Sequence, residues 1–287
     1  MKKMILIITC FLLLLLLCPI FFILFGSFMS DSELYKNLHV LVDHDNGEFV
    51  NLVLPHKLTL ESYIKILTNT SEFYLMFLNS IKVVFFTLLG QLLVATPAAW
   101  GFAKYKFYMS KSLFVIYITL TVMPFQVMML SHFLVLENLQ LINTLGALII
   151  PGIFSTFPIL IMYYNFCSIP NEILEAVRID GGNELLIFLK IGVPLGRPGI
   201  ISALVLSFFE YWNLIEQPVI FIKNKVLFPV SVYVPVITPD SAGISFAASI
   251  LVFLPPFIVF FVGRKYIEQI VPGTHKKKEN YKNGKIN

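Results

Sequence analysis

Cys167 to Gly199 reads CSIPNEILEAVRIDGGNELLIFLKIGVPLGRPG, a polar interruption between two long apolar stretches. Pro170 followed by Asn171 is a helix start signal, and Glu172 and Glu175 come early, where the helix dipole favours carboxylates. Ile173, Leu174, Val177 and Ile179 are assigned to an apolar face, and Glu175, Arg178 and Asp180 to the polar side. Gly181-Gly182 ends this helix, because glycine takes the left-handed backbone at no steric cost. A second short helix is expected from Asn183, with Glu184 early and Lys190 late. Pro194 and Pro198 are then expected to turn the chain back. Two short helices with a glycine joint suit docking on a partner better than holding a ligand.

The surroundings of this segment set the fold class. The chain of 287 residues is 57% hydrophobic and only 13% charged, against roughly 25% charged for a soluble domain. A lipid-facing surface accounts for that deficit. Crossing a ~30 Å hydrocarbon core takes about 20 mostly apolar residues. Six stretches meet or approach this length: 4–28, 77–103, 113–136, 144–167, 199–222 and 244–266. The expectation is an all-α integral membrane protein with six transmembrane helices. A single transmembrane domain would cover 1–270, with the loop at 168–198 and a lysine-rich tail at 271–287. Lys2 and Lys3 before the first stretch also fit a signal peptide, but its apolar run is long and no A-x-A site follows, so an uncleaved span is expected.

Lysine and arginine divide fifteen against six between alternate connecting segments, which puts both termini and the 168–198 loop in the cytoplasm. The first outer segment, 30–74, carries seven acidic residues and has room for a small cap or interfacial helix. Leu58 to Leu67 has rough helical spacing, with Thr59 or Ser62 as its cap.

Other chemistries lack their signatures. The net charge of +4 is small and its basic residues are dispersed or confined to the tail, so nucleic-acid binding is not expected. Cys10, Cys18 and Cys167 form neither a disulfide framework nor a metal spacing. His39, His44, His56, His132 and His275 are scattered, and no P-loop sequence occurs. No Ser/His/Asp arrangement stands out, so no catalytic residues, metal ligands or cofactor are assigned.

The loop's spacing carries a specific resemblance. Glu175-Ala176-Val177 is followed by three residues, Gly181, nine residues, Ile191, and then Val193-Pro194. This resembles the EAA loop (EAA, three residues, G, nine residues, I-x-L-P) of permease subunits in binding-protein-dependent ABC importers. Val177 and Val193 depart mildly from that pattern. Asn79-Ser80, the run Ala98 to Lys104, and Phe208 to Pro218 (FFEYWNLIEQP) are similar to the carbohydrate-type group, and within it to the maltose-type smaller permease. Gln217, where an aromatic residue is common, and the lysine-rich tail depart from it. The resemblance implies a type I importer permease in a prokaryotic cytoplasmic membrane. It implies as partners a second permease, two ATPase subunits that hold ATP and Mg, and an extracytoplasmic solute-binding protein. It also implies that Glu175, Ala176, Arg178, Asp180, Gly181 and Pro194 belong to the element that docks on an ATPase.

Within the fifth stretch, Glu210 falls near mid-membrane and Glu216 near its outer boundary, counting ~1.5 Å per residue from Gly199. A carboxylate at that depth is costly and should face a cavity or a partner. Tyr211 and Trp212 are candidates to stack on a sugar ring, and Asn213 and Gln217 to bond its hydroxyls. The alternative is that this polar cluster lines a subunit interface. Other readings of the whole chain are an ion-coupled secondary transporter with Glu210 as proton carrier, an ABC membrane subunit with a non-sugar substrate or the opposite direction, and a membrane-embedded enzyme.

Overall fold

The computed structural model describes residues 2–42, 55–69, 71–233 and 241–270. The tail expected at 271–287 lies outside them, as do Asp43, Asp45, Glu48, His44 and His275. The described elements are all helical. In chain order they are α1 (Lys2–Gly26), α2 (Asp31–Val42), α3 (Glu61–Asn69), α4 (Ser71–Lys104), α5 (Ser110–Val122), α6 (Phe125–Asn138), α7 (Gly146–Ile153) and α8 (Thr156–Cys167). There follow α9 (Asn171–Ile179), α10 (Glu184–Ile187), a π-helical turn (Phe188–Gly192), α11 (Val193–Trp212), α12 (Glu216–Phe221), two 3-10 turns and α13 (Ala242–Ile270).

Five helical stretches are long and apolar enough to cross a membrane: Lys3–Gly26, Ser71–Lys104, Gly146–Cys167, Glu184–Trp212 and Ala242–Glu268. The third expected span, 113–136, is instead the pair α5 and α6, bent by 105°. Pro124 causes the bend: the residue before a proline is driven out of the α region, and Met123 is extended (φ −68°, ψ 126°). Counting that pair as one, the spans number six.

The fifth span also differs from its expected bounds, 199–222. Helix runs unbroken from Glu184 to Trp212, so Pro194 and Pro198 do not turn the chain. Pro194 follows directly on a π-helical turn, and such a local change of hydrogen-bond spacing is one way a span accommodates a proline's missing N–H. The π-helical turn just ahead resets the register, with Val193 N–H bonded to Phe188 O. At the other end the helix stops at Trp212, and Glu216 falls in the first turn of the separate α12.

The chain divides into two units, Met1–Phe77 with Tyr233–Pro255, and Leu78–Val232 with Pro256–Asn287. In the first, Met29, Leu34, Ala242 and Phe246 form the core, and Phe22 meets Phe246 edge-on. Ser27 and Tyr63 share a hydroxyl bond of 2.8 Å. Lys65 of α3 pairs with Asp31 of α2 and with Glu61 at 2.6 Å, and these carboxylates push its ammonium pKa up. Thr59 and Ser62 do not take the cap role. Thr59 N–H donates to Phe28 O at 2.8 Å, and Ser62 lies inside the first turn of α3, buried.

In the second unit, α4, α8 and α11 pack around Trp100, Phe166, Met162 and Ala203. Small residues let these helices approach. A Cβ at Gly192 would lie 2.8 Å from the Trp100 ring, at Gly196 2.1 Å from Phe166, and at Gly199 2.3 Å from Asn165. α7 and α8 are separated by a break at Phe154 and Ser155. Gln91 of α4 donates to Gly152 O there at 2.9 Å, pairing a buried carbonyl at the break. Asn79 and Ser80 also have a structural use: Asn79 donates to Val226 O at 2.8 Å, and Ser80 Oγ accepts from Val230 N at 2.8 Å.

Candidate functional site

The 168–198 segment begins as expected. Pro170 is extended and α9 starts at Asn171. Leu174 is buried and Val177 packs beside it against the core around Phe166 and Ile187. Ile179 does not join this face and is 87% exposed. Five residues separate it from Leu174, which at ~100° per residue places it about 140° around the helix. Glu175, Ala176, Arg178, Asp180, Gly181 and Pro194 are all exposed.

The glycine joint closes α9 with a paired set of backbone bonds. Gly182 N–H reaches back to Val177 O at 2.9 Å, and Gly181 N–H to Arg178 O at 3.1 Å. That pattern needs a left-handed residue between, and Gly181 has φ +83°. Asn183 then caps α10, its Oδ1 accepting from Leu186 N–H at 2.8 Å.

Lys104, Tyr105 and Glu184, which sequence reasoning did not assign to the site, tie this knob to the end of α4. Lys104 Nζ donates to Ile169 O at 2.6 Å and to Asn171 Oδ1 at 3.1 Å. Tyr105 OH donates to Glu184 at 2.7 Å. Arg178 Nε and its terminal NH2 donate to the two oxygens of the same carboxylate at 2.7 and 3.2 Å. Burial and then the Glu184 carboxylate push the Tyr105 phenol pKa up, and the Glu184 bond raises that of Arg178. Both donors therefore keep their protons through the neutral range.

This latch is strong in geometry and modest in energy, because the Glu184 side chain is 49% exposed. Tyr105→Phe is expected to weaken it by no more than about 1 kcal/mol. Glu184→Ala removes both partners' acceptor and should show more. Hydrogen exchange over 171–187 is the measurement: faster exchange in Glu184→Ala than in Tyr105→Phe is expected, and wild-type protection in both would rule the latch out.

At the other end of the same unit is a cavity of about 440 Å³ whose lining includes Thr121, His132, Ser155, Glu210, Tyr211 and Gln217. Glu210 and Gln217 are brought together there. Trp212 is not: it is 2% exposed and stacks on Phe208 at 5.5 Å. Two residues on from Glu210, it falls about 200° around the helix and into the core. Stacking of Trp212 on a sugar ring does not fit this packing. Asn213 closes α11, its side-chain N–H donating to Phe209 O at 2.9 Å. Both Glu216 oxygens accept from Gln126 Nε2, at 2.7 and 2.9 Å. Among the described residues no group of three or more His, Cys, Asp or Glu is placed to hold a metal ion.

No family profile matches the chain. It is 26% identical over 251 residues to the arabinooligosaccharides transport system permease protein AraQ of Halalkalibacterium halodurans, covering 86% of each chain. It is 30% identical over 223 residues to a probable ABC transporter permease protein of Pyrococcus horikoshii, covering 74% of this chain and 79% of that one. Its fold is similar to a chain in the crystal structure of a bacterial ABC transporter involved in the import of the acidic polysaccharide alginate. The TM-score is 0.77 at 22% identity, over 92% of this chain and 97% of that one.

Proposed function

Because this chain belongs to the permease proteins of ABC transporters, we propose that it is one membrane subunit of an ATP-driven importer for a carbohydrate or related polyol. The similarity to an arabinooligosaccharide permease supports the solute class. A second permease completes the pathway, two ATPase subunits bind ATP and Mg, and an extracytoplasmic binding protein delivers solute. Residues 1–270 act as one permease domain in the cytoplasmic membrane. Both termini, the loop and the basic tail 271–287 face the cytoplasm. The chain itself carries out no catalysis and holds no cofactor.

One observation carries the coupling role: the unbroken helix from Glu184 to Trp212. It starts at the Arg178–Glu184–Tyr105 latch and runs to the cavity beside Glu210. Glu175, Ala176, Asp180 and Gly181 present an exposed, glycine-stopped knob to the ATPase, and Pro194 sits where the loop enters α11. Movement of the knob is transmitted along that helix without a flexible joint.

The test is uptake by proteoliposomes holding the complete transporter. The panel comprises arabino-oligosaccharides, maltose, a chitosan disaccharide, a galacturonate disaccharide and glycerol 3-phosphate. Accumulation of at least one member that requires internal ATP is expected. Uptake driven by a proton gradient without ATP, and lost in Glu210→Gln, would replace this reading with a secondary transporter.

A further inference from the structure

Resting on that reading, we propose that the cavity beside Glu210 is a charge filter on the solute path, admitting neutral or cationic polyhydroxyl solutes and excluding anionic ones, with Glu210 as the specificity-determining residue. Three features point to it. First, among the described residues the lining holds one carboxylate, one histidine (His132) and neither lysine nor arginine. A concave site lined by one sign of charge focuses its field on whatever enters. Second, Gln217 Oε1 is buried at this cavity with no hydrogen-bond partner. An acceptor left without a partner among the described residues calls for a donor, and a solute hydroxyl or ammonium supplies one. An anionic group supplies none. Third, Phe154 and Phe157 are also in the lining and supply apolar surface for a sugar ring's C–H groups.

The hydroxyl donors nearby do not reverse this bias. Thr121 Oγ1 already donates to Thr156 Oγ1 at 2.8 Å. His132 Nδ1 lies 3.1 Å from Met128 O, so that nitrogen donates there. Gln126, next to the lining residue Phe125, is occupied by Glu216 at 2.7 Å. The hydroxyls of Ser155, Thr156 and Tyr211 and the Gln217 amide are neutral groups that both donate and accept, so the sign of the site is set by the Glu210 carboxylate.

The experiment reads the filter without knowing the solute. In the assembled transporter, with Cys10, Cys18 and Cys167 of this chain replaced by serine, Ser155→Cys places a thiol in the cavity. Its labelling rate is followed by mass spectrometry of this chain. The probes are a trimethylammonium methanethiosulfonate and a sulfonate methanethiosulfonate, each normalised to a free thiol. The cationic reagent is expected to react about tenfold faster than the anionic one, and Glu210→Gln to bring the ratio to within about twofold. Equal rates with Glu210 present, or no labelling by either reagent, would overturn the filter. So would ATP-driven uptake of the galacturonate disaccharide or glycerol 3-phosphate in preference to the neutral and amino sugars. Absence of ATP-driven uptake for every panel member would instead overturn the importer reading on which the filter rests.

Discussion

Gly196→Val is expected to leave little or no folded protein. A Cβ at Gly196 would stand 2.1 Å from Phe166 Cε1 and 2.7 Å from its Cδ1, well inside contact distance. The ring cannot swing away, because Phe166 is fully buried and held edge-on against Trp100 at 5.3 Å. Trp100 is itself fixed against Gly192, where a Cβ would lie 2.8 Å from the indole. Gly196 and Gly199 both face α8, through Phe166 and Asn165, so separating α11 from α8 at one position loosens both contacts. Overpacking a well-filled core costs about 1–3 kcal/mol when neighbours yield, and more when they do not. Yield and melting temperature in detergent are the readouts. The cleaner variant is Gly196→Ala: it should be destabilised, and Phe166→Leu in the same chain should restore part of the loss. Wild-type melting of Gly196→Val would show that the helices have room to part.

The small-residue face was on display in the sequence, yet its partners were not. Gly196 and Phe166 are thirty positions apart, and only the fold brings a phenylalanine over a glycine. The same limit hid the latch. Tyr105 and Glu184 are separated by 79 residues and Gln126 and Glu216 by 90, with no local pattern to announce either pair. Features set by local chemistry were legible: the start of α9 at Pro170-Asn171 and the glycine stop at Gly181. Pro194 and Pro198 misled because a proline carried inside a continuous span looks the same in sequence as one that ends a helix. The π-helical turn before them decides between the two, and no residue type marks it. Trp212 is a different case. Its position about 200° from Glu210 follows from helical geometry alone, so its exclusion from the cavity was implicit in the spacing once the span was taken as helix.

Gly182→Ala is expected to cut ATP-driven transport by about tenfold or more while the chain still assembles. The two glycines of the joint fail differently. Around Gly181 a Cβ meets nothing within 4 Å, so its alanine variant carries only the penalty of φ +83°, about 1–2 kcal/mol. At Gly182 a Cβ would lie 2.7 Å from Val177 Cγ1 and 2.9 Å from Val177 O. That oxygen is the acceptor of the Gly182 N–H bond at 2.9 Å, so relieving the clash breaks the bond that closes α9. The knob then loses its fixed angle to α10, and with it the rigid path into the Glu184–Trp212 helix. The cavity lining includes no residue of the joint, so assembly should persist and ATP hydrolysis should continue with little solute moved. Adding Val177→Ala separates side chain from backbone. It removes the Cγ1 contact but leaves the carbonyl contact, so transport should stay low. Full recovery in the double variant would show that side-chain crowding, and not the backbone closure, is what Gly182 protects.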